Sequence, residues 1–207
     1  MRQYFLETER IAFSGWKPED TDLARALWGD PQVTRYICAG GIFSEQDILD
    51  RLQLEIHNRE LYGVQYWPVF EKKTGTFIGC CGLRPYGREK ISREEAGEGG
   101  CRKTEEKQKQ DEAQERNRPE IVYELGFHLR PDFWGKGFAR EAALAVMRYA
   151  FEEKGADWLF AGHHPDNAAS AALLQKLGFR FVRNEYYAPT GLMHPSYEYF
   201  GNASSSR

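Results

Sequence analysis

An α/β (α+β) fold built on one mixed sheet is what this sequence predicts, and three observations carry that expectation. Segments alternating with period two and segments with a 3.6-residue apolar stripe interleave along the 207 residues. Their order is a strand, helices, three strands, then helix, strand, helix and two strands, which fits a sheet flanked by helices and not a bundle or a sandwich. A loop rich in glycine and aromatic residues joins one strand directly to the most regular helix.

The elements follow in order. Residues 9–15 alternate around Ile11 and Phe13 and predict the first strand. Pro18 suits a helix start, and Leu23, Ala26 and Leu27 share one face of a helix over 18–28, which Gly29, Asp30 and Pro31 end. Ser44 with Asp47 three residues on is a variant of the capping box, and Ile48, Leu52 and Ile56 form the stripe of the helix it opens. Residues 64–71 and 76–83 read as strands joined by a hairpin-like turn through Gly75. A strand over 120–129 alternates through Ile121, Tyr123, Leu125 and Phe127. The helix over 136–153 places Ala139, Ala142, Ala143, Val146, Met147, Ala150 and Phe151 on one face, with Gly155 beyond its end. A short strand over 157–162, a helix over 167–177 closed by Gly178, and strands over 179–187 and 194–200 complete the chain.

Residues 88–118 interrupt this rhythm. Eighteen of the 31 are charged, nine of each sign, and a segment so poor in apolar surface cannot offset its ordering entropy. The expectation is a single domain over 1–207 with a flexible charged insertion at 88–118. A formal charge of −3 gives no basic excess to recommend nucleic acid or an anionic membrane as partner. The four cysteines, Cys38, Cys80, Cys81 and Cys101, have no zinc-ligand spacing, and no secretory signal precedes them. They read as reduced thiols of a cytoplasmic protein without a metal.

The chemistry concentrates in the loop 130–139. Gly135 and Gly137 let the backbone turn and approach a ligand without Cβ clashes. The first amides of the next helix lack intrahelical partners and, with the helix dipole, form an anion site. Arg130, Lys136 and Arg140 add charge, and a diphosphate is the natural occupant. A P-loop is excluded, because no glycine stands five positions before Gly135 and Phe138 sits where its hydroxyl is needed. A dinucleotide fingerprint fails at Arg140, where its third glycine belongs. A plain strand-to-helix turn is the alternative reading of the glycines alone.

This loop, with Trp134, Gly135, Lys136, Gly137, Phe138 and Ala139 in succession, resembles the pyrophosphate loop of the GCN5-related N-acetyltransferases (GNAT), in particular the branch of the ribosomal-protein acetyltransferases RimJ and RimL. Leu6 to Arg10, Phe77 to Leu83, Tyr123 to Phe127, and Asn167 with Ser170 and Lys176 to Phe179 are similar to other segments of that branch, in the same order. The resemblance implies a central sheet splayed between the fourth and fifth strands, with the pantetheine arm of acetyl-CoA in the gap. It implies main-chain contacts to that arm from Phe127, His128 and Leu129, with the amide near Leu129 holding the thioester oxygen. The diphosphate would rest on Arg130 and on amides from Trp134 to Ala139, and Asn167 would bond the pantetheine arm, or serve only as a helix cap. Ser170 would protonate the leaving thiolate, or else face solvent. Glu124 and Glu185 compete as the base that takes the amine's proton, with a sheet-edge ion pair as the rival for both. His163 and His164 before Pro165 could relay a proton, but a surface turn is the better reading.

The implied activity is transfer of an acetyl group to a primary amine, of a protein N-terminus or a small molecule, by direct attack in a ternary complex. The rival is a non-catalytic acyl-CoA-binding regulatory module on the same fold. A monomer or homodimer is expected. Deletion of 88–118 with a short linker is expected to leave one cooperative melting transition, since loop-closure entropy changes by only about 0.6 kcal/mol per doubling of length. Loss of cooperative melting in calorimetry would make the segment structural.

Overall fold

The computed structural model describes residues 2–86 and 120–201; the charged segment at 88–118 lies outside the described residues. The chain forms an eight-stranded sheet in the order β1-β2-β3-β4-β5-β6-β8-β7. Its strands are β1 (Leu6–Glu7), β2 (Ile11–Phe13), β3 (Tyr66–Glu71), β4 (Phe77–Pro85), β5 (Val122–Leu129), β6 (Trp158–Gly162), β7 (Arg180–Tyr187) and β8 (Leu192–Tyr199). All neighbours are antiparallel except β5 and β6. The two-residue β1 is an addition to the expected set, so the strand expected as fourth is β5 and the fifth is β6.

Among the described residues five helices flank the sheet: α1 (Thr21–Trp28), α2 (Pro31–Thr34), α3 (Glu45–Tyr62), α4 (Phe138–Glu152) and α5 (Ala168–Lys176). The short α2 was not anticipated. Asp30 and Pro31, read as breakers, instead cap and open it: the Asp30 side chain accepts from the Gln32 amide, and proline occupies the first turn. The capping box at α3 is formed, with the Ser44 hydroxyl accepting from Asp47 N–H and the Asp47 carboxylate accepting from Ser44 N–H. Its stripe Ile48, Leu52 and Ile56 is buried as the spacing predicts.

Two apolar layers result. One face of the sheet packs Val69, Ile78, Leu83, Leu125 and Leu159 against Ala142, Val146 and Ala150 of α4 and Leu174 of α5. The other packs Tyr66, Phe70, Phe77 and Cys80 against Leu27 and Trp28 of α1 and the α3 stripe. Alternation along β5 therefore sends Tyr123, Leu125, Phe127 and Leu129 to the α4–α5 face and Glu124, Gly126 and His128 to the α1–α3 face. Gly126 is glycine for a visible reason: a Cβ there would lie 2.1 Å from the Tyr66 ring, which lies across the sheet at this point.

The antiparallel pairing of β4 with β5 runs out to Pro85 opposite Tyr123, so the charged segment joins two strands that are already neighbours. Replacing Ser44 by alanine is expected to cost about 1 kcal/mol, the usual worth of an N-cap. Urea unfolding with an unchanged slope would check it; an unaltered midpoint would mean that α3 is held by its packing alone.

Candidate active site

The site begins with a strand that runs out of partners. β5 and β6 pair only at Val122–Trp158, Tyr123–Leu159 and Glu124–Phe160, while β6 remains paired with β8 as far as Gly162 opposite Ser196. From Leu125 onward the sheet is splayed. On its other edge β5 stays bonded to β4: Arg130 N–H donates to Ile78 C=O at 2.9 Å and Tyr86 N–H to Val122 C=O at 3.0 Å. In an antiparallel ladder the residues that bond a neighbour alternate. Even-numbered residues of β5 therefore bond β4, and odd-numbered ones present N–H and C=O to the gap. This corrects the expectation for His128, whose main chain belongs to β4. Phe127 and Leu129 point their main-chain groups into the gap, although the Leu129 carbonyl already accepts from Trp134 Nε1 at 2.7 Å.

At the end of β5 a single 3₁₀ turn, Pro131–Phe133, leads to α4. Gly135 and Gly137 adopt φ of +70° and +81°, a region that L side chains avoid. A Cβ on Gly135 would meet nothing within 4 Å, so that glycine sits beneath open space. The first intrahelical bond of α4 runs from Glu141 N–H to Gly137 C=O. The amides of Phe138, Ala139 and Arg140 thus have no partner in the helix, and no side chain caps them. Other loop residues are placed differently from expectation. The Trp134 amide donates to Pro131 C=O and is not available to an anion. Arg130 turns away, donating through Nη1 to Phe77 C=O at 3.0 Å. Phe138 is buried in the core and Lys136 lies near the Phe133 ring, while Arg140 lines the cavity.

That cavity, about 890 Å³, joins the gap, the loop and the far ends of β4, β7 and β8. Asn167 and Ser170 line it from the first turn of α5, where the Asn167 side chain accepts from Ser170 N–H at 3.1 Å. Asn167 is therefore a cap, and its amide nitrogen remains as a donor. Glu124 and Glu185 both line the cavity. Glu124 forms no ion pair within 4 Å among the described residues. Glu185 on β7 is committed: Oε1 accepts from Arg183 Nε at 2.9 Å and Oε2 from the Ser196 hydroxyl at 2.7 Å.

Four histidines surround the same space. His128 is sealed between Trp28 and Tyr66, and its Nδ1 accepts from Trp28 Nε1 at 3.2 Å. Burial, then the charges of Arg51 and Arg84, hold its pKa well below the usual imidazole value, so it stays neutral. His163 is not the surface residue expected from the following Pro165. It is buried, with Nε2 3.2 Å from the Tyr197 hydroxyl and Nδ1 2.8 Å from the His164 carbonyl, because β6 carries it inward beside β8. His164 packs near Tyr36 and His194. Burial, followed by the nearby His164 and His163, lowers the His194 pKa. Among the described residues no group of three or more His, Cys, Asp or Glu side chains is arranged to hold a metal ion.

The family model of the acetyltransferase (GNAT) domain matches residues 10–180. The chain belongs to the GNAT acetyltransferases. It is 28% identical over 176 residues to an uncharacterized N-acetyltransferase, p20, of Bacillus licheniformis, covering 84% of this chain and 82% of that one. Among solved structures, the ribosomal-protein-S5-alanine acetyltransferase of Vibrio fischeri superposes with a TM-score of 0.66 at 17% identity, over 97% of this chain and 98% of its own. RimL, a ribosomal L7/L12 alpha-N-protein acetyltransferase, in complex with coenzyme A gives 0.67 at 11% identity, over 96% and 98%. At such identities these two likenesses are of fold. The protein is an acyltransferase of the acetyl-CoA-dependent family.

Several residues of this acetyltransferase site had no signal in the sequence. Arg10, on the turn between β1 and β2, braces the phosphate loop from behind. It donates to Lys136 C=O at 3.0 Å and to the Glu141 carboxylate at 2.6 Å, and it stacks 4.4 Å over Phe138. Burial alone would raise the Glu141 pKa, but hydrogen bonds from Thr8 and Arg10 hold it below the usual carboxylate range. Arg51, Arg84, Tyr66 and Tyr86 line the same cavity. They lie on three different elements and share no spacing pattern.

Gly137→Glu is expected to weaken coenzyme A binding by about tenfold or more, since it forces a side chain into a left-handed backbone and sets a negative charge at the anion site. Gly75→Glu, in a remote turn with φ of +72° and open surroundings, carries similar backbone strain and serves as the control. Calorimetry giving both variants the wild-type affinity would remove the loop from the cofactor site.

Proposed function

We propose that the protein acetylates a primary amine by direct attack of the amine on acetyl-CoA within a ternary complex. The observation that carries this reading is the junction at the end of β5: main-chain groups of Phe127 and Leu129 face the splay, next to an uncapped helix N-terminus. The pantetheine arm adds to β5 as a short strand would, and the diphosphate rests on the amides of Gly135 to Arg140. Asn167 donates through its amide nitrogen to the arm. The Leu129 N–H lies where the thioester oxygen gains charge, an oxyanion-type contact.

Glu124 is the base in this reading. It projects into the cavity from the strand that holds the thioester, and its carboxylate is not tied into an ion pair among the described residues. For Glu185 to act, an amine would have to displace the Arg183 guanidinium or the Ser196 hydroxyl. The amine lone pair forms the C–N bond, the C–S bond breaks, Glu124 receives the amine's proton, and the thiolate takes a proton from the Ser170 hydroxyl or from water. Tyr187 stands at the same end; burial, then the charge of Glu124, raises its pKa, so it remains a neutral phenol at the wall.

The acceptor is a small amine or the extended end of a chain. Ala39 N–H donates to Pro189 C=O at 2.8 Å, joining the loop after α2 to the turn between β7 and β8. RimL is a ribosomal L7/L12 alpha-N-protein acetyltransferase, and a protein N-terminus would also fit. A regulatory acyl-CoA module remains the alternative, and turnover of acetyl-CoA with a panel of amines separates the two.

Glu124→Gln is expected to lower turnover about 10²–10⁴-fold, the usual worth of a general base, with coenzyme A affinity nearly intact. The deficit should shrink above the pKa of the amine, where free amine no longer needs the base. If Glu185→Gln shows that pattern and Glu124→Gln does not, the assignment passes to Glu185.

A further inference from the structure

The acceptor end holds an unusual charge arrangement that the transfer step does not use. Glu55 of α3 is fully buried, accepting through Oε2 from the Tyr66 main-chain N–H at 2.8 Å. Its other oxygen is shared by two guanidinium groups. Arg84 of β4 donates to it through Nη2, and Arg51 of α3 lies 3.2 Å away through Nε, off the hydrogen-bond line. The two arginine side chains are 12% and 17% exposed, and both line the cavity. Their Nε atoms are sealed and unbonded. Arg51 Nη1 and Nη2 and Arg84 Nη1 make no hydrogen bond among the described residues and are not sealed, so they face the cavity.

Arg84 is the cross-strand partner of Glu124, which puts the two side chains on one face with Cβ atoms about 4.5–5.5 Å apart. They form no ion pair within 4 Å, because Arg84 turns to Glu55. Among the described residues the charges of this floor are Arg51 and Arg84 against Glu55 and Glu124, a neutral set. Around it, His128 is neutral and Glu185 is matched by Arg183. Arg35, above the Tyr36 ring, adds one more positive charge from the mouth. A plain ammonium entering here would set an uncompensated cation beside two half-sealed guanidinium groups. A zwitterion would not: its ammonium meets Glu124 and its anionic group meets the guanidinium ends next to it.

We propose that the acceptor is a small amino carboxylate, a primary amine with a carboxylate within a few bonds, whose carboxylate is read by Arg84 and Arg51. This rests on the acetyltransferase reading above and narrows it. Arg84 and Arg51 are specificity residues here, and Glu55 positions them.

The test is release of coenzyme A thiol from acetyl-CoA with matched acceptors: a set of amino acids and the amide of each, compared at equal concentrations of unprotonated amine. The expected result is a kcat/KM about tenfold or more higher for the carboxylate than for its amide, the scale of one charge-assisted contact. In Arg84→Met that ratio should fall toward one through KM, and Arg84→Lys should keep part of it. Because Arg84→Met leaves Glu55 short of a partner and can fail to fold, the wild-type comparison stands by itself. Equal turnover of acids and amides by the wild type overturns the carboxylate proposal and leaves the acetyltransferase in place. So does an unchanged ratio in folded Arg84→Met. Absence of thiol release with every amine, while coenzyme A still binds in calorimetry, overturns the acetyltransferase reading and the proposal with it.

Discussion

The organising constraint of this molecule is that β5 loses its neighbour after Glu124. Main-chain N–H and C=O groups inside a protein need partners, and leaving them without one costs as much as a lost hydrogen bond. β6 does not supply them, because its pairing with β5 ends at Phe160 while it runs on beside β8 to Gly162. Leu129 C=O finds the Trp134 indole; the remaining odd-numbered groups face the cavity. A ligand with amides and carbonyls along an extended arm answers that need. The gap is a fixed feature, since β5 is tied along its other edge to β4 over seven register pairs.

Alternation along the same strand divides the labour of the site. Odd residues turn main chain to the gap and side chains to the α4 layer. Even residues give main chain to β4 and send the side chains of Glu124 and His128 to the cavity. In the proposed reading, chemistry at the thioester and recognition of the amine are set by neighbouring residues of one strand. Gly126 between them clears room for Tyr66, whose backbone N–H in turn fixes Glu55. The loop 130–139 is braced separately, by Arg10 against Lys136 and Glu141.

The sequence by itself determined what is local. Period-two and 3.6-residue patterns located strands and helices, because burial of one face is written at fixed spacing. The Ser44–Asp47 box and the cap at Asn167 were legible because a cap involves residues three apart. The glycine loop was legible because only glycine takes φ near +70° to +81° freely, and a strand-to-helix junction leaves amides bare whatever the rest of the fold does. Glu124, Glu185, Asn167 and Ser170 all line one cavity.

Tertiary structure decided what depends on pairing and on distance. Nothing in Phe127, His128 and Leu129 tells which of them faces the gap; the register with β4 fixes it, and a shift of one residue would reverse it. His163 before a proline looks like a turn residue until β8 closes over it. Arg130 and Trp134 spend their polar groups on the strand behind them, a matter of side-chain direction that the loop motif does not encode. Arg10 lies 126 residues from Lys136, and Arg51, Glu55 and Arg84 come from two elements. Such contacts carry no spacing because folding, and not the chain, makes them neighbours.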